Sequence, residues 1–138
     1  MEFVTFEIAK KLKEKEYKES CLAYYTNDDT LYYNYSHKAG ANYIDCYLSH
    51  NLMPKDSVSG KFVDAPTVSQ ALDWLRTNHG IHVRADLWRK GWYFDVISYE
   101  YDESWNEYKV ITKYQSKDYK SYDDTMLAGI KYVLDNLI

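Results

Sequence analysis

Apolar side chains recur along this chain with two different periods, and the switches between them set out its elements. Ile8, Ala9 and Leu12 fall on one side of a helical repeat, and Lys10, Lys11, Lys13, Glu14 and Lys15 fall on the other. Thr5 stands where it can cap that helix, with Glu7 in the first turn. From residue 21 the period shortens to two. Residues 21–26 and 30–35 read as strands joined by the turn-forming cluster Asn27-Asp28-Asp29. Residues 36–65 lose the pattern and are expected to form a long variable loop. Within it, Tyr43-Ile44-Asp45-Cys46-Tyr47-Leu48 suits a short strand or a helical turn. Connections usually run to about 4–6 residues, so this one is functional, mobile, or holds a small element.

The second half is more regular. Thr67 and Gln70 have the spacing of a capping box, followed by Val68, Ala71, Leu72 and Leu75 on one helical face. Gly80 is the expected stop, because glycine takes the left-handed conformation without a Cβ penalty. Ile81, Val83, Ala85 and Leu87 then alternate with His82, Arg84 and Asp86. Arg89-Lys90-Gly91 turns the chain. Residues 92–101 form a second strand, with Trp92, Phe94 and Val96 on one side and Tyr93, Ile97 and Tyr99 on the other. Residues 102–106 form a loop and 107–114 a third strand. Ser121 and Asp124 open a last helix, driven by Met126, Leu127, Ile130, Val133, Leu134 and Leu137.

The order is therefore α-β-β, a long loop, then α-β-β-β-α. Consecutive strands with short turns are antiparallel, so the expected fold is α+β. An antiparallel sheet packs against helices as a two-layer sandwich, within one domain spanning residues 1–138. The sheet face away from the helices would carry His82, Arg84, Trp88, Tyr93, Asp95, Ile97, Tyr99 and Ile111. Either the N-terminal hairpin or first helix covers this face, or Trp88, Tyr93, Ile97 and Tyr99 form an exposed aromatic patch for another protein.

Composition sharpens that choice. Sixteen of the 138 residues are tyrosine, whose ring is apolar and whose hydroxyl needs water or a partner. The net charge is −4; residues 1–65 carry 8 basic and 10 acidic side chains and residues 66–138 carry 9 and 11, so each half is −2. No basic face is concentrated anywhere, which argues against nucleic acid as a partner. The three-strand run flanked by helices has the element order of a double-stranded-RNA-binding domain. Where such a domain places lysines on phosphate, this chain has Tyr122, Asp123 and Asp124. No apolar run approaches the roughly 20 residues of a membrane span. The apolar opening precedes Lys10 and Lys11, the reverse of a signal peptide, so a cytoplasmic protein with reduced Cys21 and Cys46 is expected.

Chemical signatures are sparse, and no cofactor is implied. Cys46, His50, His79 and His82 could supply four zinc ligands, but no tight ligand pair is present. Cys21 lies in a core-like strand; Cys46, with His50 four residues on, is the better nucleophile candidate. His82, Asp86 and Asp95 lie on or between neighbouring strands, a placement that can bind Mg²⁺ in a nuclease-like hydrolase. Arg84, Lys109 and Lys113 are equally placed to pair with such carboxylates. No phosphate-binding glycine loop, nucleophile elbow or zinc-protease helix is found.

Ala65-Pro66-Thr67-Val68-Ser69-Gln70-Ala71-Leu72-Asp73-Trp74-Leu75-Arg76, Ile81-His82-Val83, Gly91-Trp92-Tyr93 and Ala128-Gly129-Ile130 together resemble a group of small proteins. These occur in gut bacteria of the Bacteroides type and in their phages and mobile elements. Glu7-Ile8-Ala9-Lys10-Lys11-Leu12 and Cys21-Leu22-Ala23-Tyr24-Tyr25 resemble the start of the same group. The resemblance implies a cytoplasmic, mobile-element origin and carries over no site residue. Three functions follow as expectations: a non-catalytic module that binds another protein or forms a homodimer, a metal-dependent hydrolase, and an acidic decoy for a nucleic-acid-binding protein.

Overall fold

The structure, a computed structural model, describes residues 2–26, 29–33 and 62–138. It is an α+β fold that divides into two compact units, Met1–Gln70 and Ala71–Ile138, with the boundary in the first turn of a helix. Each unit carries its own three-stranded antiparallel sheet, where the sequence suggested one sheet with helices at both ends.

In the first unit, α1 (Phe6–Glu14) begins at Thr5, whose hydroxyl accepts the Ile8 N–H at 3.3 Å. Its buried stripe is Ile8, Ala9 and Leu12, as the periodicity requires. β1 (Ala23–Thr26) and β2 (Leu31–Tyr33) form the expected hairpin. β3 (Phe62–Ala65) lies within the stretch expected to be loop and pairs antiparallel with β1, Ala23 opposite Ala65. The sheet order is β2-β1-β3, and α1 packs on β3. Val4 N–H donates to the Pro66 carbonyl at 3.0 Å and Val68 N–H to that of Glu2 at 2.9 Å. The buried Tyr25 hydroxyl donates to the Val4 carbonyl at 2.7 Å. The remaining stretch, including the segment around Tyr43 and Leu48, lies outside the described residues.

α2 (Val68–His79) opens with the reciprocal bonds of a capping box. Thr67 Oγ1 accepts the Gln70 N–H at 3.1 Å, and Gln70 Oε1 accepts the Thr67 N–H at 2.9 Å. It closes at Gly80, at φ 65°, where the Ile81 N–H reaches back to the Leu75 carbonyl.

The second sheet runs β4 (His82–Trp88), β5 (Gly91–Asp102) and β6 (Glu107–Gln115), in that spatial order. Val83, Ala85, Phe94 and Val96 share the face that receives α3 (Tyr122–Asn136). Leu87, on the same face at the end of the edge strand, is exposed, contrary to the alternation. The fit of α3 is tightest at Gly129. A Cβ there would stand 2.4 Å from Val83 Cγ1 and 3.3 Å from the Phe94 ring. Phe94 is itself ringed by Tyr114, Tyr119 and Tyr132, with centroids at 5.7, 6.0 and 6.2 Å. Ser121 caps α3 by accepting the Asp124 N–H at 3.1 Å.

One irregularity rearranges the β6 faces. Val96 pairs with Tyr114 but Ile97 pairs with Thr112, leaving Lys113 as an extra residue. Tyr99 therefore faces Val110, and Ile111, opposite Ser98, is moved to the helix side. A shift of one residue exchanges the two faces of a strand, which is why Ile111 leaves the face assigned to it from sequence.

Gly129→Ala is expected to destabilise the protein by about 1–2 kcal/mol. The better helix propensity of alanine, about 1 kcal/mol, is smaller than the overpacking that a 2.4 Å contact forces. A lower urea midpoint with an unchanged slope is the result that checks it. A second expectation concerns Tyr17, a core residue of the first unit. Burial pushes its phenol pKa far above the ordinary 10.0, and neighbouring Cys21, Glu19 and Asp64 add to the rise. The folded chain thus keeps this proton where the unfolded chain releases it. The contribution to stability is intact below about pH 10 and is lost as pH rises further. Urea unfolding between about pH 9 and 11 should decline less steeply in Tyr17→Phe than in the native sequence.

Candidate functional site

β4 pairs with β5 only as far as His82 opposite Ile97. Beyond that point, among the described residues, 98–102 of β5 are hydrogen bonded to β6 alone, so the hairpin continues as a two-stranded ribbon. Its turn, residues 103–106, is held by Asp102 Oδ1 accepting the Ser104 N–H at 2.9 Å and by Asn106 at φ 53°. The Tyr101 hydroxyl bonds the Asn106 side-chain oxygen.

The ribbon has two unlike faces. One carries Glu100 opposite Lys109 and Asp102 opposite Glu107, with Lys109 Nζ 3.0 Å from Asp102 Oδ2. The other carries Tyr99 opposite Val110 and Tyr101 opposite Tyr108, and no charged residue. The Tyr101 and Tyr108 rings meet edge to face at 5.2 Å. Tyr99, Tyr101 and Val110 are about half exposed, Tyr108 is 70% exposed, and Trp105 in the turn is 76% exposed. A continuous apolar face of this kind is uncommon where no partner covers it.

The four residues expected to form the patch are divided by the structure. Tyr99 belongs to the ribbon face, where its ring meets His82 at 5.0 Å. Ile97 is fully buried and offers no side chain to a partner. Trp88 is exposed at the far end of β4, with the Arg89 guanidinium 5.3 Å from its ring. Trp88 and the half-buried Tyr93 line a shallow cleft of about 340 Å³ with Gln115, Ser116 and Asp118. The Arg84–Asp95 ion pair, at 3.2 Å, lies between that cleft and the ribbon on the same sheet face. Tyr101, Trp105, Tyr108 and Val110 were missed in the sequence reading. Folding the hairpin about a four-residue turn, so that Asp102 faces Glu107, would have placed the two tyrosines opposite each other.

The groups considered for chemistry do not assemble. Among the described residues, no group of three or more His, Cys, Asp or Glu side chains is arranged to hold a metal ion. Asp95 is paired with Arg84, Asp86 Oδ1 accepts the Leu87 N–H at 2.8 Å, and His82 packs on Tyr99. His79 rests edge-on against Trp74 at 4.8 Å. Cys21 is a buried thiol, outside any disulfide, that donates to the Glu19 carbonyl at 3.5 Å. Cys46 and His50 lie outside the described residues. No helix among the described residues is long and apolar enough to cross a membrane.

Asp86→Asn and Asp95→Asn together are expected to leave the protein's affinity for Mg²⁺, Mn²⁺ and Zn²⁺ unchanged in calorimetric titration. A site lost on that double substitution would restore the carboxylates as ligands. Comparison with protein-family models, with curated proteins and with solved structures gives no match, so the reading of this surface rests on its own geometry.

Proposed function

We propose that this chain is a non-catalytic, cytoplasmic protein-binding module that contacts its partner through the aromatic face of the β5–β6 ribbon. The observation that carries the reading is the exposed grouping of Tyr99, Tyr101, Trp105, Tyr108 and Val110 on a ribbon that has no third strand among the described residues. Tyrosine and tryptophan supply large contact area with few torsions to freeze, and they dominate the energetics of protein interfaces. The Tyr101 hydroxyl donates to Asn106, and the polar tips of the other exposed rings can keep water while the surface is uncovered. An origin in a mobile element is carried by the sequence resemblance alone.

Tyr101→Ser with Tyr108→Ser is the test. Each truncation of a central interface aromatic costs about 2 kcal/mol or more, so association should weaken at least roughly tenfold. The measurements are solution mass against concentration and the retention of proteins from bacterial extract. The two side chains are exposed and their contact supports only the projecting ribbon, so the melting temperature of the packed part should change little. Unchanged mass and unchanged retention would remove the ribbon from the interface. Trp88→Ser, at the other end of the sheet, serves as the control and should leave association intact.

A further inference from the structure

We infer that the ribbon's partner is a second copy of this chain, joined edge to edge through β6 in one antiparallel register. The inference rests on the protein-binding reading above and names its partner. Among the described residues β6 is an edge strand: the sheet order ends on it, and eight of its nine residues are exposed, Ile111 alone being half-buried. Its sequence restricts how two copies can meet. A two-fold axis perpendicular to the sheet keeps each face continuous, so residues of like face must stand opposite.

Centred on Lys109, the pairing sets Lys109 against its own copy. Centred on Ile111, it sets Lys109 against Lys113. Like charges directly opposite are destabilising. Centred on Val110, the pairing sets Glu107 against Lys113 twice, Tyr108 against Thr112 twice, and Val110 against Val110. Centred on Thr112, it runs through the irregularity at Lys113 and forms no charge pair. The register centred on Val110 meets the irregularity only at its two end pairs, where Lys113 stands. Lysines on an edge strand ordinarily discourage pairing. Centred on Tyr108, the pairing sets Glu107 against Lys109 but spans only residues 107–109 of β6, whereas the Val110 register spans residues 107–113. Lys109 and Lys113 thus disfavour the registers centred on Lys109 and Ile111, and strand length favours the one in which Lys113 has an acidic counterpart.

The product would be a six-stranded sheet. The two ribbons, each two strands wide, would become four strands wide, and the two sets of Tyr99, Tyr101, Tyr108 and Val110 would form one band. Two-stranded ribbons are marginal alone in water, and added strands with a shared apolar face remedy that.

The experiment is light scattering of the purified full chain over roughly 5–500 µM, with Glu107→Lys, Lys113→Glu and the double exchange. The native sequence should reach the dimer mass, each single reversal should weaken dimerisation at least tenfold, and Glu107→Lys with Lys113→Glu should restore it. Rescue by the exchange separates a charge contact from a folding defect. A native protein that stays monomeric throughout overturns the inference. So does a dimer indifferent to the single reversals, or one not restored by the exchange. A monomer that still loses retained bacterial proteins on Tyr101→Ser with Tyr108→Ser keeps the protein-binding reading and rejects only self-pairing.

Discussion

β5 runs for twelve residues and β4 for seven, so among the described residues the last five residues of β5 have a hydrogen-bonded neighbour on one side only. That difference in length separates the second unit into a packed part and a projecting part. Where all three strands are present, α3 covers the face of Phe94 and Val96, and Ile97 on the opposite face is buried too. Where only two are present, no described helix is needed to explain the side chains, because they are exposed. The stability of the projecting part has to come from its turn, its cross-strand pairs and its attachment to the packed part. The Tyr101–Tyr108 contact and the Lys109–Asp102 ion pair are such sources, and an exposed ion pair contributes at most about 1 kcal/mol.

The irregularity at Lys113 sets the chemistry of the ribbon face. With continuous register, Tyr99 would have faced Ile111 and the ribbon would have carried Thr112 and Val110 on opposite sides from those observed. The inserted residue instead places Tyr108 and Val110 beside Tyr99 and Tyr101 and sends Lys109 to the charged side. One residue without a partner in β5 thus sorts the aromatic from the charged side chains of the outer hairpin. The same residue marks the end of the segment over which β6 can pair with another strand in unbroken register.

Much of this fold is legible in the sequence because it is local. Thr67 with Gln70, Gly80, and Ser121 each act within one helical turn, and each does what its spacing requires. The alternation of residues 92–97 also holds. What was not legible is set by distant pairing. Phe62-Val63-Asp64-Ala65 is too short to show a period, and it is a strand because β1 lies beside it, Ala23 opposite Ala65. Ile97 is buried and Tyr99 about half exposed, two residues apart on one face, and β4 ends beside them at His82. No local pattern encodes where a neighbouring strand stops.

The choice of tyrosine on the ribbon fits a surface that must exist both covered and bare. Leucine or isoleucine at positions 99, 101 and 108 would bury as well against a partner. An uncovered edge rich in them would invite indiscriminate strand addition. A phenol keeps its polar tip in water before association and can keep it at the rim afterwards. The charged opposite face of the same ribbon, with Glu100, Asp102, Glu107 and Lys109, prevents a second layer from stacking there without desolvating ions. The ribbon therefore has one sticky face and one protected face, and its lysines limit pairing along the edge. That combination favours a closed, finite contact over an extended one.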